Sequence, residues 1–388
     1  MKRSFLLTQQ EEGDASLRVH SSPRKNECNN EKRNKNGLVP SEIAAHDCSL
    51  NVSESKSNGE SSSSETNVSE RILAENGLVV AVETLIEHGA NVNESGDSGT
   101  TALIRSSYRG NVNVVRALLV QGAAVDMPNS RGFTPLIVAS QEGHIDVVEA
   151  LLEHGANVCM YNKTVCSPLH VAVKHGHLTI VIALLECGAN ANELVTDGMP
   201  LFYMASKNKD LRILKAFLER GANVNQSVTK MGRALLIIAS FRGNLELVHT
   251  LLEHGAKVGI TDVYGEFPLY MAALCGNIEI VHALMDAGAD LNQSSLTGKT
   301  PTFIAAYRGH VDVLTALIDR GADMNKPDAN GSTPLMAASY FGHISVVRAL
   351  LWRGANWKMI NSDGHTACCL AYIKKHKDVL DAIKNERL

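Results

Sequence analysis

Residues 134–156 decide the fold: Thr134-Pro135-Leu136-Ile137-Val138-Ala139-Ser140-Gln141-Glu142-Gly143, then His144-Ile145-Asp146-Val147-Val148-Glu149-Ala150-Leu151-Leu152-Glu153-His154-Gly155-Ala156. Thr134 can cap a helix N-terminus with its hydroxyl. Pro135 suits the first turn, where a missing N–H costs little. Gly143 can take the left-handed conformation that ends a helix. A second helix follows, in which Val147, Val148, Leu151 and Leu152 fall on one apolar stripe. Gly155 stops it, and Asn157 to Val165 is turn-like.

The same stretch returns along the chain. The dipeptide Gly-Ala begins at Gly89, Gly122, Gly155, Gly188, Gly221, Gly255, Gly288, Gly321 and Gly354, with steps of 33 residues and one of 34. Thr134-Pro135-Leu136 has in-phase counterparts in Ser167-Pro168-Leu169, Phe267-Pro268-Leu269, Thr300-Pro301 and Thr333-Pro334-Leu335. Gly-His or Gly-Asn pairs lie between them, among them Gly143-His144, Gly176-His177, Gly276-Asn277, Gly309-His310 and Gly342-His343. One such helix pair cannot bury its own stripe, so neighbours must stack and stability becomes a sum of nearest-neighbour terms.

This period and the Ser167-Pro168-Leu169-His170 signature resemble the ankyrin repeat. The resemblance runs from about Val68 to Leu388. It implies an all-α repeat solenoid: helix-turn-helix units with a β-hairpin finger, stacked in an elongated arc. The expected organisation is a polar Ser/Asn-rich, disordered tail at 1–67 and a repeat region at 68–388. Within the latter, 68–96 reads as a degenerate first unit, 97–361 as eight repeats and 362–388 as a C-terminal cap bearing Lys374, Lys375, His376, Lys377 and Lys384. No further folded module is expected.

Composition narrows the function. A net charge of −4 offers no basic footprint for nucleic acid. No stretch approaches the ~20 apolar residues of a membrane span. The eight cysteines are scattered without framework spacing, which reads as a reduced, cytoplasmic protein. In the tail, Ser22-Pro23-Arg24-Lys25 resembles a proline-directed phosphorylation site, and Lys32-Arg33-Asn34-Lys35 a weak nuclear-import signal. No metalloprotease, phosphate-loop or nucleophile-elbow motif is present, so no enzyme and no cofactor are expected. Cys159, Cys166, His170, His175 and His177 look like a metal cluster, but the repeat register scatters them. Cys368 falls on a core position of the signature.

Two departures from the pattern stand out. In repeat four, Lys209 replaces the helix-ending Gly and Pro200 lies one residue early; repeat five carries the extra residue between Asn223 and Leu235. The joint near 205–235 is therefore expected to be the weakest layer. The signature His is replaced by Ile104, Ile137, Tyr203, Ile237, Tyr270, Phe303, Met336 and Cys369. That should exchange inter-repeat hydrogen bonds for apolar packing.

In ankyrin proteins, partners lie along the finger tips and the first-helix face, which form a concave groove. The matching residues precede the helix-ending Gly: Tyr108-Arg109, Gln141-Glu142, Lys174-His175, Lys207-Asn208, Phe241-Arg242, Leu274-Cys275, Tyr307-Arg308 and Tyr340-Phe341. Fingers add Phe133, Tyr161 and Tyr264. Tyr and Arg combine contact area with directed hydrogen bonds, and Arg forks onto carboxylates and phosphates. The expectation is a monomeric scaffold or adaptor for a protein or peptide ligand bearing acidic or phosphorylated residues. The alternative is a regulatory or substrate-recruiting subunit of a ubiquitin ligase, kinase or phosphatase complex. Asn93, Asn225, Asn292 and Asn325 resemble finger asparagines that some family members carry hydroxylated.

Overall fold

A computed structural model describes residues 79–96, 98–164, 166–195, 198–207 and 211–385. The tail motifs, Lys209 and Asn208 lie outside the described residues. Nineteen helices, and no regular strand, occur among those residues. The first is α1 (Val79–Glu87). Pairs follow: α2 (Ala102–Arg109) with α3 (Val112–Val120), α4 (Pro135–Glu142) with α5 (Ile145–Glu153), and α6 (Pro168–His175) with α7 (Leu178–Glu186). Next come α8 (Leu201–Ala205) with α9 (Arg212–Glu219), α10 (Leu235–Arg242) with α11 (Leu245–Glu253), and α12 (Pro268–Cys275) with α13 (Ile278–Asp286). The series ends with α14 (Pro301–Arg308) and α15 (Val311–Asp319), α16 (Pro334–Phe341) and α17 (Ile344–Trp352), and α18 (Ala367–Ile373) and α19 (Lys377–Asn385).

Local chemistry sets these boundaries. The hydroxyls of Thr101, Thr134, Ser167, Thr300, Thr333 and Thr366 each accept from the backbone amide three residues on, at 2.9–3.3 Å. Each such cap stabilises its helix by about 1 kcal/mol. Left-handed glycines end most first helices, for example Gly309 at φ 83°. In the C-terminal unit Lys375 occupies the equivalent place at φ 64°. The fingers are tight turns with isolated bridges, such as Ser95 with Thr101, where a β-hairpin was expected. Their backbone groups are satisfied locally instead: Asn129 Oδ1 accepts from the amides of Arg131 and Phe133, and Asp328 Oδ1 from those of Asn330 and Ser332.

First helices stack on first helices and second on second, around one continuous core. The substituted signature positions Ile104, Ile137, Ile237, Tyr270, Phe303 and Met336 are buried, but Cys369 is exposed and Cys368 only half-buried. Inter-repeat hydrogen bonding is nevertheless not lost. The His or Asn after the helix-ending Gly supplies it: His144 Nε2 bonds the Tyr108 carbonyl (3.0 Å), His177 that of Gln141 (3.0 Å) and Asn277 that of Ser240 (3.1 Å). His310, His343 and His376 repeat the contact on Leu274, Tyr307 and Tyr340. A second row runs through the fingers, where Asn93, Asp126, Asn192, Asn225, Asn292 and Asn325 each accept an amide of the next unit through Oδ1. A third links successive finger backbones, as in Val263 N to Met231 O (3.0 Å) and Leu296 N to Tyr264 O (3.1 Å).

Repeat four breaks the regularity. Helix α8 has five residues, and Pro200 gives it no side-chain cap. Neighbouring helix pairs approach closely throughout the stack except at α8/α10 and α9/α11. Phe202 and Phe217, both fully buried, replace the leucines found at these core positions in adjacent repeats, and their bulk matches the wider joint. Among the described residues Asn244 makes no rung there; its Oδ1 caps α11 through Leu247 N. The extra residue lies in the finger of repeat five, where Val228 N reaches Arg233 O across one residue more than Asn129 N to Phe133 O.

Candidate partner-binding surface

The residues before each helix-ending Gly sit on the last turn of a first helix, so repetition of the fold lines them up in a strip. Arg109, Glu142, Lys174, His175, Lys207, Arg242 and Arg308 are exposed; Tyr108, Phe241, Tyr307, Tyr340 and Phe341 are half-buried. On the fingers, Tyr161 and Tyr264 are about half exposed (48% and 47%).

Two expected contact residues are corrected. Phe133 is buried, 1% exposed, because the chain re-enters helix α4 directly after it. It packs with Ile104, Ile137, Val138, Cys166 and Val171 in a small separate cluster, and Tyr108 rests against that cluster. Gln141 is 5% exposed; its Nε2 donates to Glu142 Oε1 (2.9 Å) while its backbone carbonyl faces His177. Neither presents a side chain to a partner.

Four cations along the strip lie against aromatic rings. The guanidinium of Arg109 lies 5.9 Å from the Tyr108 ring centre and that of Arg308 6.0 Å from Tyr307. Lys207 Nζ sits 4.6 Å from Tyr203, and Lys374 Nζ 4.2 Å from Tyr340. At the C-terminal end the rings interlock across layers: Phe341 meets Tyr307 edge-on at 4.6 Å and Tyr340 at 4.9 Å. His175 stacks on His177, and burial, then Lys174 and His177, hold its pKa below the usual value despite Glu142. It is thus neutral near pH 7. Burial raises the Cys275 thiol, with Arg308 near enough to oppose the shift.

The strip and the second-helix side differ in their charges. On the latter, Arg116–Glu153, Arg220–Glu186, Arg320–Asp286 and Arg353–Asp319 join successive repeats as ion pairs. On the strip, Arg109, Lys174, Lys207, Arg242, Arg308 and Lys374 pair with no carboxylate among the described residues. Glu142 is the strip's one acid among those positions, in a chain whose net charge is −4.

Two polar clusters went unread in the sequence. Arg233, at the inserted finger, bridges buried Asp262 (2.9 Å) and Glu266 (2.8 Å) of the next repeat. Burial, then Asp262, pushes the Glu266 carboxyl up to about 7 although Arg233 opposes this. Ser167, besides capping α6, donates to buried Glu193 at 2.7 Å. In the suspected metal cluster, His170 is buried and its pKa falls to about 4, Cys166 is buried, and Cys159 is exposed. No group of three or more such ligands converges among the described residues, and none of their helices is long and apolar enough to cross a membrane.

A family model of ankyrin repeats, three copies in length, matches in overlapping windows that run from 71–162 through 302–386. No curated protein sequence matches the chain. Ankyrin repeats generally mediate protein–protein interactions and are typically non-catalytic. With its helix pairs, left-handed glycines and stacked fingers covered by that model almost throughout, the chain belongs to the ankyrin-repeat family.

Proposed function

We propose that the chain is a non-catalytic scaffold that holds an acidic or phosphorylated segment of a protein partner along the strip of first-helix ends. The observation that carries this reading is the charge asymmetry. Four arginines on the second-helix side are matched by acids of the neighbouring repeat, whereas the strip's cations pair with no carboxylate among the described residues. Cations left unmatched on an acidic protein form a field that attracts and orients an acidic ligand. The adjoining rings supply contact area that charge alone lacks. Residues Tyr108, Arg109, Lys174, Lys207, Phe241, Arg242, Tyr307, Arg308, Tyr340 and Phe341 are the proposed contacts, with Glu142, His175 and Tyr264 at the margin.

Affinity purification with mass spectrometry tests it. The full chain is compared with a variant carrying Tyr108→Ala, Arg242→Glu, Tyr307→Ala and Arg308→Glu, after circular dichroism shows that the variant folds. Loss of partners from the folded variant supports the strip. Retention of all partners moves the site elsewhere and refutes the assignment.

A further inference from the structure

In the C-terminal half the strip has a finer pattern. The residue just before the helix-ending position is, layer by layer, Arg242, Cys275, Arg308, Phe341 and Lys374. Cations therefore stand on every second layer: all three are exposed, while Cys275 and Phe341 between them are half-buried. Phe341 is wedged between Tyr307 and Tyr340, and Lys374 lies over Tyr340. Ring contacts thus carry the order cation, aromatic, cation across three layers.

Packed helices lie about 8–10 Å apart, so successive cations are separated by roughly 16–20 Å. A polyproline II segment turns once every three residues with a rise of about 3.1 Å each, or about 9 Å per turn. One turn of such a ligand matches one layer of the protein. Its residues at every third position then face the strip together, which a β-strand with its two-residue alternation cannot do.

Building on the acidic-ligand reading above, we infer that the strip from Arg242 to Lys374 reads an extended, polyproline II-like peptide. Its acidic residues lie six positions apart, with an apolar residue midway. The acids meet Arg242, Arg308 and Lys374; the apolar residues meet Cys275 and Phe341.

The test uses the full chain and thirteen-residue fluorescent peptides with proline and serine at non-contact positions. One carries aspartate at its first, seventh and thirteenth positions and leucine at the fourth and tenth. A second holds the same residues with the aspartates consecutive, so that only one can meet a cation at a time. Each matched exposed pair contributes up to about fivefold in affinity, so the registered peptide should bind about tenfold or more tighter. Arg308→Glu should weaken it, and replacing its central aspartate by lysine should restore binding to that variant alone. Equal binding of the two peptides, both weakened by Arg308→Glu, overturns the register and leaves the acidic-ligand reading standing. Binding of neither peptide, or binding indifferent to Arg242→Glu and Arg308→Glu, overturns both.

Discussion

Gly309 and Gly288 share the same φ of 83°, yet alanine should cost much more at the first. Both substitutions place a side chain in the left-handed region, at about 1–2 kcal/mol. Both recover about 0.4–1 kcal/mol by restricting the unfolded chain. At Gly288 nothing lies within 4 Å of the new Cβ, so a net loss of about 0.5–1 kcal/mol is expected. At Gly309 the Cβ would stand 2.8 Å from His343 Nδ1 and 3.0 Å from Cε1. The ring must move, and it is the ring whose Nε2 bonds the Tyr307 carbonyl at 3.0 Å. Losing that bond adds about 0.5–1.5 kcal/mol, for a total near 1–2.5 kcal/mol.

A double-mutant cycle separates the two terms. Local opening free energies come from native-state hydrogen exchange, because a long repeat array need not unfold in one step. In a His343→Ala background the ring is gone, and Gly309→Ala should fall to the cost of Gly288→Ala, a coupling of about 1 kcal/mol. Equal costs for the two glycines in the parent, or an undiminished cost of Gly309→Ala beside His343→Ala, would refute the idea that these glycines are required by the neighbouring His as well as by φ.

Three further expectations follow from particular residues. Lys375→Gly should stabilise the C-terminal unit by about 0.5–1 kcal/mol, read as slower exchange in α19, because a left-handed lysine is replaced by the residue that adopts this conformation without strain. The Glu266 carboxyl is raised from 4.5 to about 7, chiefly by burial, so the folded chain holds a proton that the unfolded chain releases. Its stabilisation is complete below pH 4.5 and lost as pH rises through about 7. Exchange at the finger 262–266 should therefore quicken between pH 5 and 8 in the parent and less so in Glu266→Gln; a parent that gains protection over this range contradicts the sign. Finally, α8 and α9 should exchange faster than α4, α5, α14 and α15, and uniform protection across repeats three to six would argue against a weak joint.

The architecture was legible because its signals are local. Thr134, Pro135 and Gly143 act on the backbone beside them, so their recurrence specifies the unit without knowledge of neighbours. What escaped depends on contacts between units. The Gly-His pairs were visible at the right spacing, but the role of His343 requires the Tyr307 carbonyl 36 residues back. Phe133 looked like a finger contact because a sequence position does not show that the chain dives into the core there. Arg233 sits beside the inserted residue, where the repeat register gives no template for its partners Asp262 and Glu266.

These inter-unit contacts bear directly on recognition. From repeat six to the C-terminal unit each first helix is tied to the one before it by a His or Asn rung, by close helix stacking and by finger backbone bonds. The rungs attach to the carbonyls of Ser240, Leu274, Tyr307 and Tyr340, which belong to or adjoin the strip itself. The bonds that fix the spacing of layers therefore also fix the spacing of Arg242, Arg308 and Lys374. A partner docking there meets cations already held at set intervals and pays little ordering entropy on the protein's side. The irregular layer at repeat four interrupts this series, so its five-residue helix separates the C-terminal strip from the cations Arg109 and Lys174, with Lys207 on the irregular layer itself. A ligand spanning both halves must accommodate any movement at that joint, whereas one confined to Arg242 through Lys374 need not. On the proposed acidic-ligand reading, the C-terminal half is the part that discriminates among acidic sequences, and the N-terminal cations are a less selective electrostatic extension.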